Sequence, residues 1–138
     1  MALSDWLCGL TLMGVSISAQ AEKLETLASL QWSARVIVVW SEQDPRATID
    51  LLNQEQAYLD ERHVVWFVVH KAKLLSNYGG EIAPNFVANL NRMYPQEKGA
   101  VWLIGKDGGV KQTAQALNLD AIYGQIDAMP MRQREMQR

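Results

Sequence analysis

Residues 35–45 read Arg-Val-Ile-Val-Val-Trp-Ser-Glu-Gln-Asp-Pro. After Arg35 the run is continuously apolar and β-branched, the pattern of a strand buried on both faces rather than one with a wet side. Ser41 to Pro45 ends it. Asp44 followed by Pro45 predicts a helix start, because a carboxylate accepts the free N–H groups of a first turn and proline suits that position. Leu51, Leu52, Tyr58 and Leu59 then fall on one helical face, and the helix is predicted to reach about Glu61. Val64 to Val69 is a second buried-type strand, flanked by His63 and His70. A strand–helix–strand unit of this kind makes the two strands parallel neighbours with a right-handed crossover.

Working outward, Leu24, Leu27 and Leu30 predict a short amphipathic helix leading into Trp32. Lys71 to Ala83, with Gly79-Gly80, reads as a loop. Pro84 opens a helix carrying Phe86, Val87, Leu90 and Tyr94 on one face, and Pro95 stops it. Ala100 to Ile104 is a third buried strand. Gly105-Lys106-Asp107-Gly108-Gly109 is a turn, and Val110 to Ala114 alternates as an exposed edge strand does. A last helix starts near Asn118, shows Leu119, Ile122, Tyr123 and Ile126 on one face, and ends before Pro130. Met131 to Arg138 reads as a basic, polar tail.

The order β-α-β-α-β-β-α predicts an α/β fold: a four-stranded mixed sheet of order 2-1-3-4, its third strand antiparallel, with helices on both faces. It resembles the thioredoxin fold. Three blocks sharpen the resemblance: Leu30-Gln31-Trp32-Ser33-Ala34-Arg35-Val36, Leu103-Ile104-Gly105-Lys106-Asp107-Gly108-Gly109-Val110-Lys111, and Ile126-Asp127-Ala128-Met129-Pro130-Met131-Arg132-Gln133-Arg134-Glu135-Met136. Together they resemble the DUF4174 family of small, commonly exported bacterial proteins, with related domains in animal matrix proteins that carry sushi repeats. The resemblance implies a thioredoxin-like, peroxiredoxin-related domain and no established reaction.

The chain has 138 residues, one domain's worth, and with 49% hydrophobic and 20% charged residues it can bury a sizeable core. A net charge of −2 offers no basic field for nucleic acid. No apolar run approaches the roughly 20 residues of a membrane-spanning helix. Trp6 to Ser18 is apolar and precedes Ala19-Gln20-Ala21, so residues 1–21 are predicted to be a signal peptide and the mature chain to be extracytoplasmic, either periplasmic or secreted. Cleavage there leaves 13 basic and 14 acidic residues and removes Cys8, the single cysteine. No intramolecular disulfide is then expected, and no thiolate site.

In a thioredoxin the reactive thiols sit just after the first strand, where the helix dipole lowers the thiol pKa. Here Ser41 and Asp44 hold that place, and a serine hydroxyl stays protonated without a base beside it. Both are read as helix-capping residues, and no catalytic residue is assigned. The cis-proline expected opposite would fall at about Ala100, so that hallmark is absent too. His63 and His70 stand roughly 23 Å apart at strand rise and cannot share a metal. No metal or cofactor is implied. Trp40, Trp66 and Trp102 read as core or sheet-face residues.

Strand direction carries the sharpest inference. The Lys106 turn must lie at the end of the sheet opposite Ser41, and the chain after the last helix must arrive beside it. Either Arg132 or Arg134 then pairs with Asp107 as a structural staple, or Lys106, Asp107, Arg132 and Arg134 build a surface for a partner protein or an anion. The preferred reading is a non-catalytic binding or structural module. The alternative is a divergent oxidoreductase using a non-thiol group or a partner's cysteine, which an occupied Ser41–Arg46 loop would favour.

Overall fold

The computed structural model describes residues 22–137; the predicted signal peptide and Cys8 lie outside them. Leu27–Leu30 forms one turn of 3-10 helix, followed by β1 (Arg35–Trp40), α1 (Arg46–Gln54), α2 (Gln56–Glu61), β2 (Val64–His70) and β3 (Lys73–Ser76). Then come α3 (Phe86–Met93), a second 3-10 turn (Gln96–Lys98), β4 (Val101–Ile104), β5 (Val110–Ala114), α4 (Leu119–Asp127) and α5 (Pro130–Met136).

The five strands form one open mixed sheet of order β3-β2-β1-β4-β5. β1 lies parallel to β2, with Ile37 opposite Trp66, and antiparallel to β4, with Ile37 opposite Leu103. The strands read as buried are buried: every residue of β1 and of β4 is. Side chains alternate across the pleat. Val36, Val38 and Trp40 face a layer containing Leu27, Leu30, Phe86 and Leu90. Ile37 and Val39 face a layer containing Leu52, Leu59, Ile122 and Ile126. Helices therefore cover both faces, which is why the central strands read as unbroken apolar runs.

The expected four-strand sheet is corrected to five. Lys73–Ser76, read as loop, pairs antiparallel with β2 outside the predicted order, His70 opposite Lys73 and Phe67 opposite Ser76. The connecting residues Lys71 and Ala72 both adopt positive φ, 49° and 65°. That two-residue turn normally carries Asn-Gly, so the hairpin has no turn signature in its sequence. Side chains extend the pairing. Asn77 Oδ1 accepts the Trp66 N–H at 2.8 Å, and Asn77 Nδ2 donates to Val64 O at 3.3 Å.

Three smaller expectations change. The helix predicted to reach Glu61 breaks at Glu55, whose φ of −95° and ψ of 10° separate α1 from α2. The N-terminal leucines form a 3-10 turn, with Leu24 instead in a lone parallel bridge to Ile82. Residues 131–136, expected as a polar tail, continue α5, which Pro130 starts from the first turn.

Candidate functional site

The two ends of β1 differ in chemistry. At its C-terminal end, Ser41 does not cap a helix: its hydroxyl donates to Gln43 O at 2.7 Å. Asp44 does meet the helix start, accepting the Arg46 N–H at 3.0 Å and the Arg46 guanidinium at 2.6 Å. Those bonds lower its carboxyl below the usual range, but both side chains are largely exposed and the pair adds little stability. His70 Nδ1 lies 3.0 Å from Ser41 O, so Nδ1 carries the ring proton and donates. The cleft here, about 430 Å3, is lined by Trp40, Ser41, Gln43, Thr48 and Gln96, and its one ionisable lining residue is Glu42. Gln96 Nε2 contacts the Glu42 carboxylate at 3.5 Å, and among the described residues no base holds the Ser41 hydroxyl. Among the described residues there is no cis peptide and no cluster of metal-ligating side chains.

At the N-terminal end, three separate segments converge. The loop after β4 folds through Gly108, whose φ of 84° needs a residue without Cβ, and Gly109 N–H bonds to Asp107 Oδ1 at 2.9 Å. The segment before β1 docks on that loop. Trp32 N–H donates to Lys106 O at 2.6 Å, and Gln31 Nε2 donates to Asp107 O at 2.9 Å. To make the first contact Trp32 adopts φ 71°, a left-handed conformation costing a bulky side chain about 1–2 kcal/mol. The residue is nevertheless 62% exposed.

The third segment is α5, and it is held by buried charge. Arg35, only 1% exposed, donates from Nη1 to Glu135 Oε1 at 3.0 Å and from Nη2 to Oε2 at 3.2 Å. Lys106, 8% exposed, donates to Glu135 Oε2 at 2.7 Å. Its Nζ also stands 2.6 Å from His63 Nδ1; an ammonium only donates, so Nδ1 accepts and the ring proton sits on Nε2. Burial alone would raise the Glu135 carboxyl, but the bonds from Arg35 and Lys106 outweigh it and hold the pKa at about 2. A second network adjoins. Arg62 grips Asp127 through Nε and Nη2 at 3.0 and 2.9 Å. Arg132 reaches Asp127 Oδ1 at 3.0 Å and Glu61 Oε1 at 3.2 Å. The Arg62 bond, opposed by burial and reinforced by Arg132, keeps the Asp127 carboxyl low.

The four residues singled out from sequence thus have separate settings. Lys106 and Arg132 are buried, while Asp107 and Arg134 are exposed. Neither arginine staples Asp107, which bonds Lys111 Nζ at 2.9 Å instead; α5 meets the loop through Glu135. Sequence reasoning missed Arg35, Glu135 and Trp32. A signal existed for the ion pair. A charge heading an apolar strand needs a buried counterion, and Glu135 is the single acidic residue between Pro130 and Arg138.

Between the three segments lies a groove of about 350 Å3, walled by Trp32, Arg35, Lys106, Lys111, Met129 and Met131. Its volume falls in the range of small-molecule sites. All three sequence blocks at 30–36, 103–111 and 126–136 contribute to its wall.

No curated protein and no solved structure matches the chain. The family described as "Domain of unknown function (DUF4174)" matches residues 26–135. The match spans most of the chain, which belongs to the DUF4174 family.

Proposed function

We propose that the chain is an extracytoplasmic, non-catalytic binding module of thioredoxin-like fold, with its binding site in the groove beneath Trp32. The fold assignment rests on the parallel β1–β2 pair, the antiparallel β4–β5 hairpin and the helices on both faces, with β3 as an addition at one edge. Export rests on the apolar stretch before Ala19-Gln20-Ala21.

One observation carries the choice of site: a 62% exposed tryptophan is held in left-handed backbone at the rim of a groove. The left-handed backbone serves the bond to Lys106 O, but a bulky and exposed tryptophan at that position serves neither the bond nor the core, and such costs collect at ligand sites. Around Ser41, among the described residues, the cleft is lined by no thiol and the hydroxyl donates to a backbone carbonyl, which supports the Trp32 groove over the Ser41 loop. The alternative, an oxidoreductase using a non-thiol group or a partner's cysteine, would act at that loop.

The test is a thermal-shift screen of small metabolites on the purified chain, repeated with Trp32→Gly and with Ser41→Ala/Thr48→Val. A ligand whose stabilising shift disappears with Trp32→Gly and survives the second variant supports the reading. The reverse pattern moves the site to the Ser41 cleft and overturns it.

A further inference from the structure

The groove wall combines two chemistries. Trp32, Met129, Pro130 and Met131 form an apolar and soft side, suited to a flat body that stacks on indole and touches thioether sulfur. The other side is formed by Arg35, Lys106 and Lys111, whose charged ends engage two carboxylates among the described residues, Asp107 in the wall and Glu135 behind it. Glu135, behind that wall, accepts from both Arg35 and Lys106. Among the described residues, even counting it, three cations meet two carboxylates, and one positive charge is left over.

The donors are under-used as well. Lys111 Nζ bonds Asp107 and stands partly exposed, with two of its three N–H donors facing no partner among the described residues. Arg35 Nε is buried and has no hydrogen-bond acceptor among the described residues. An orphaned guanidinium N–H beside an excess of positive charge is unfavourable, and an added anion relieves the charge imbalance.

Resting on the groove as the binding site, we propose that its ligand is a small carboxylate carrying a flat apolar body. The body lies against Trp32 and Met131, and the carboxylate takes the open donors of Lys111 beside Lys106. The charge excess selects against amines and favours a carboxylate over its neutral amide.

Isothermal titration of the purified chain with 3-phenylpropanoate, 3-phenylpropanamide and 3-phenylpropylamine tests this. The carboxylate is expected to bind at least ten-fold more tightly than the amide, and the amine not measurably. Lys111→Gln should weaken the carboxylate about five-fold and leave the amide unchanged. Trp32→Gly should weaken both. Equal affinity for carboxylate and amide, with both lost in Trp32→Gly, overturns the anion selectivity and leaves the groove as the site. Carboxylate binding indifferent to Trp32→Gly and Lys111→Gln overturns the groove itself. Preferred binding of the amine, or binding of none of the three, overturns the proposed ligand class.

Discussion

Glu135 on α5 and Arg35 at the head of β1 close a two-pronged ion pair across 100 residues of chain, with N–O distances of 3.0 and 3.2 Å. Both groups are largely out of water, at 14% and 1% side-chain exposure. Such a pair is costly to break, because removing one member strands a buried charge. Glu135→Gln should therefore lose about 3–5 kcal/mol of stability by urea denaturation. Glu61→Gln, whose carboxylate is 60% exposed, should lose less than about 1 kcal/mol. Equal losses would mean that α5 is held by packing alone.

The same pair sets an acid limit. The Glu135 carboxyl titrates at about 2 in the folded chain against an ordinary 4.5. A depressed folded value stabilises above the unfolded pKa, and that contribution fades as pH falls from about 4.5 through about 2. It amounts to about 3 kcal/mol at most. Stability measured between pH 6 and pH 2 should fall through that window, and should fall less in Glu135→Gln. Asp127, held low by Arg62 and Arg132, adds to the decline in both proteins.

Trp32→Gly removes a bulky side chain from φ 71° while keeping the N–H bond to Lys106 O. The variant should melt at or above the temperature of the parent chain, since glycine adopts that conformation freely. A loss beyond about 2 kcal/mol would make the tryptophan a structural residue like the buried Trp40.

At the β2–β3 hairpin, Lys71→Asn with Ala72→Gly supplies the residues that positive φ at both turn positions favours, and should stabilise by about 1 kcal/mol. Asn77→Ala should cost about 1–3 kcal/mol, because the backbone groups of Trp66 and Val64 lose the side-chain partners they hold now.

Much of the fold was legible because burial on two faces writes itself into sequence. Arg35–Trp40 and Val64–Val69 could not be half-wet strands, and the Lys106–Gly109 turn could only lie at the Arg35 end of the sheet. β3 was hidden because its four residues are too few for a pattern and Lys71-Ala72 lacks turn chemistry. The helix from Pro130 was hidden because its partners are charges rather than an apolar stripe: Arg132 and Glu135 look like surface residues until Asp127 and Arg35 are placed beside them. The meeting of the Lys106 loop with the C-terminal segment followed from strand direction. Which residues made the contact did not, since Asp107 had a nearer cation in Lys111. The strain at Trp32 is set by a long-range bond and leaves no local trace.

The most direct measurement is an amide chemical-shift map of the isotopically labelled chain titrated with 3-phenylpropanoate. Shifts concentrated at Trp32, Lys106, Asp107, Lys111 and Met131 are predicted. Shifts concentrated at Ser41, Gln43, Thr48 and Gln96, at the opposite end of β1, would contradict the account.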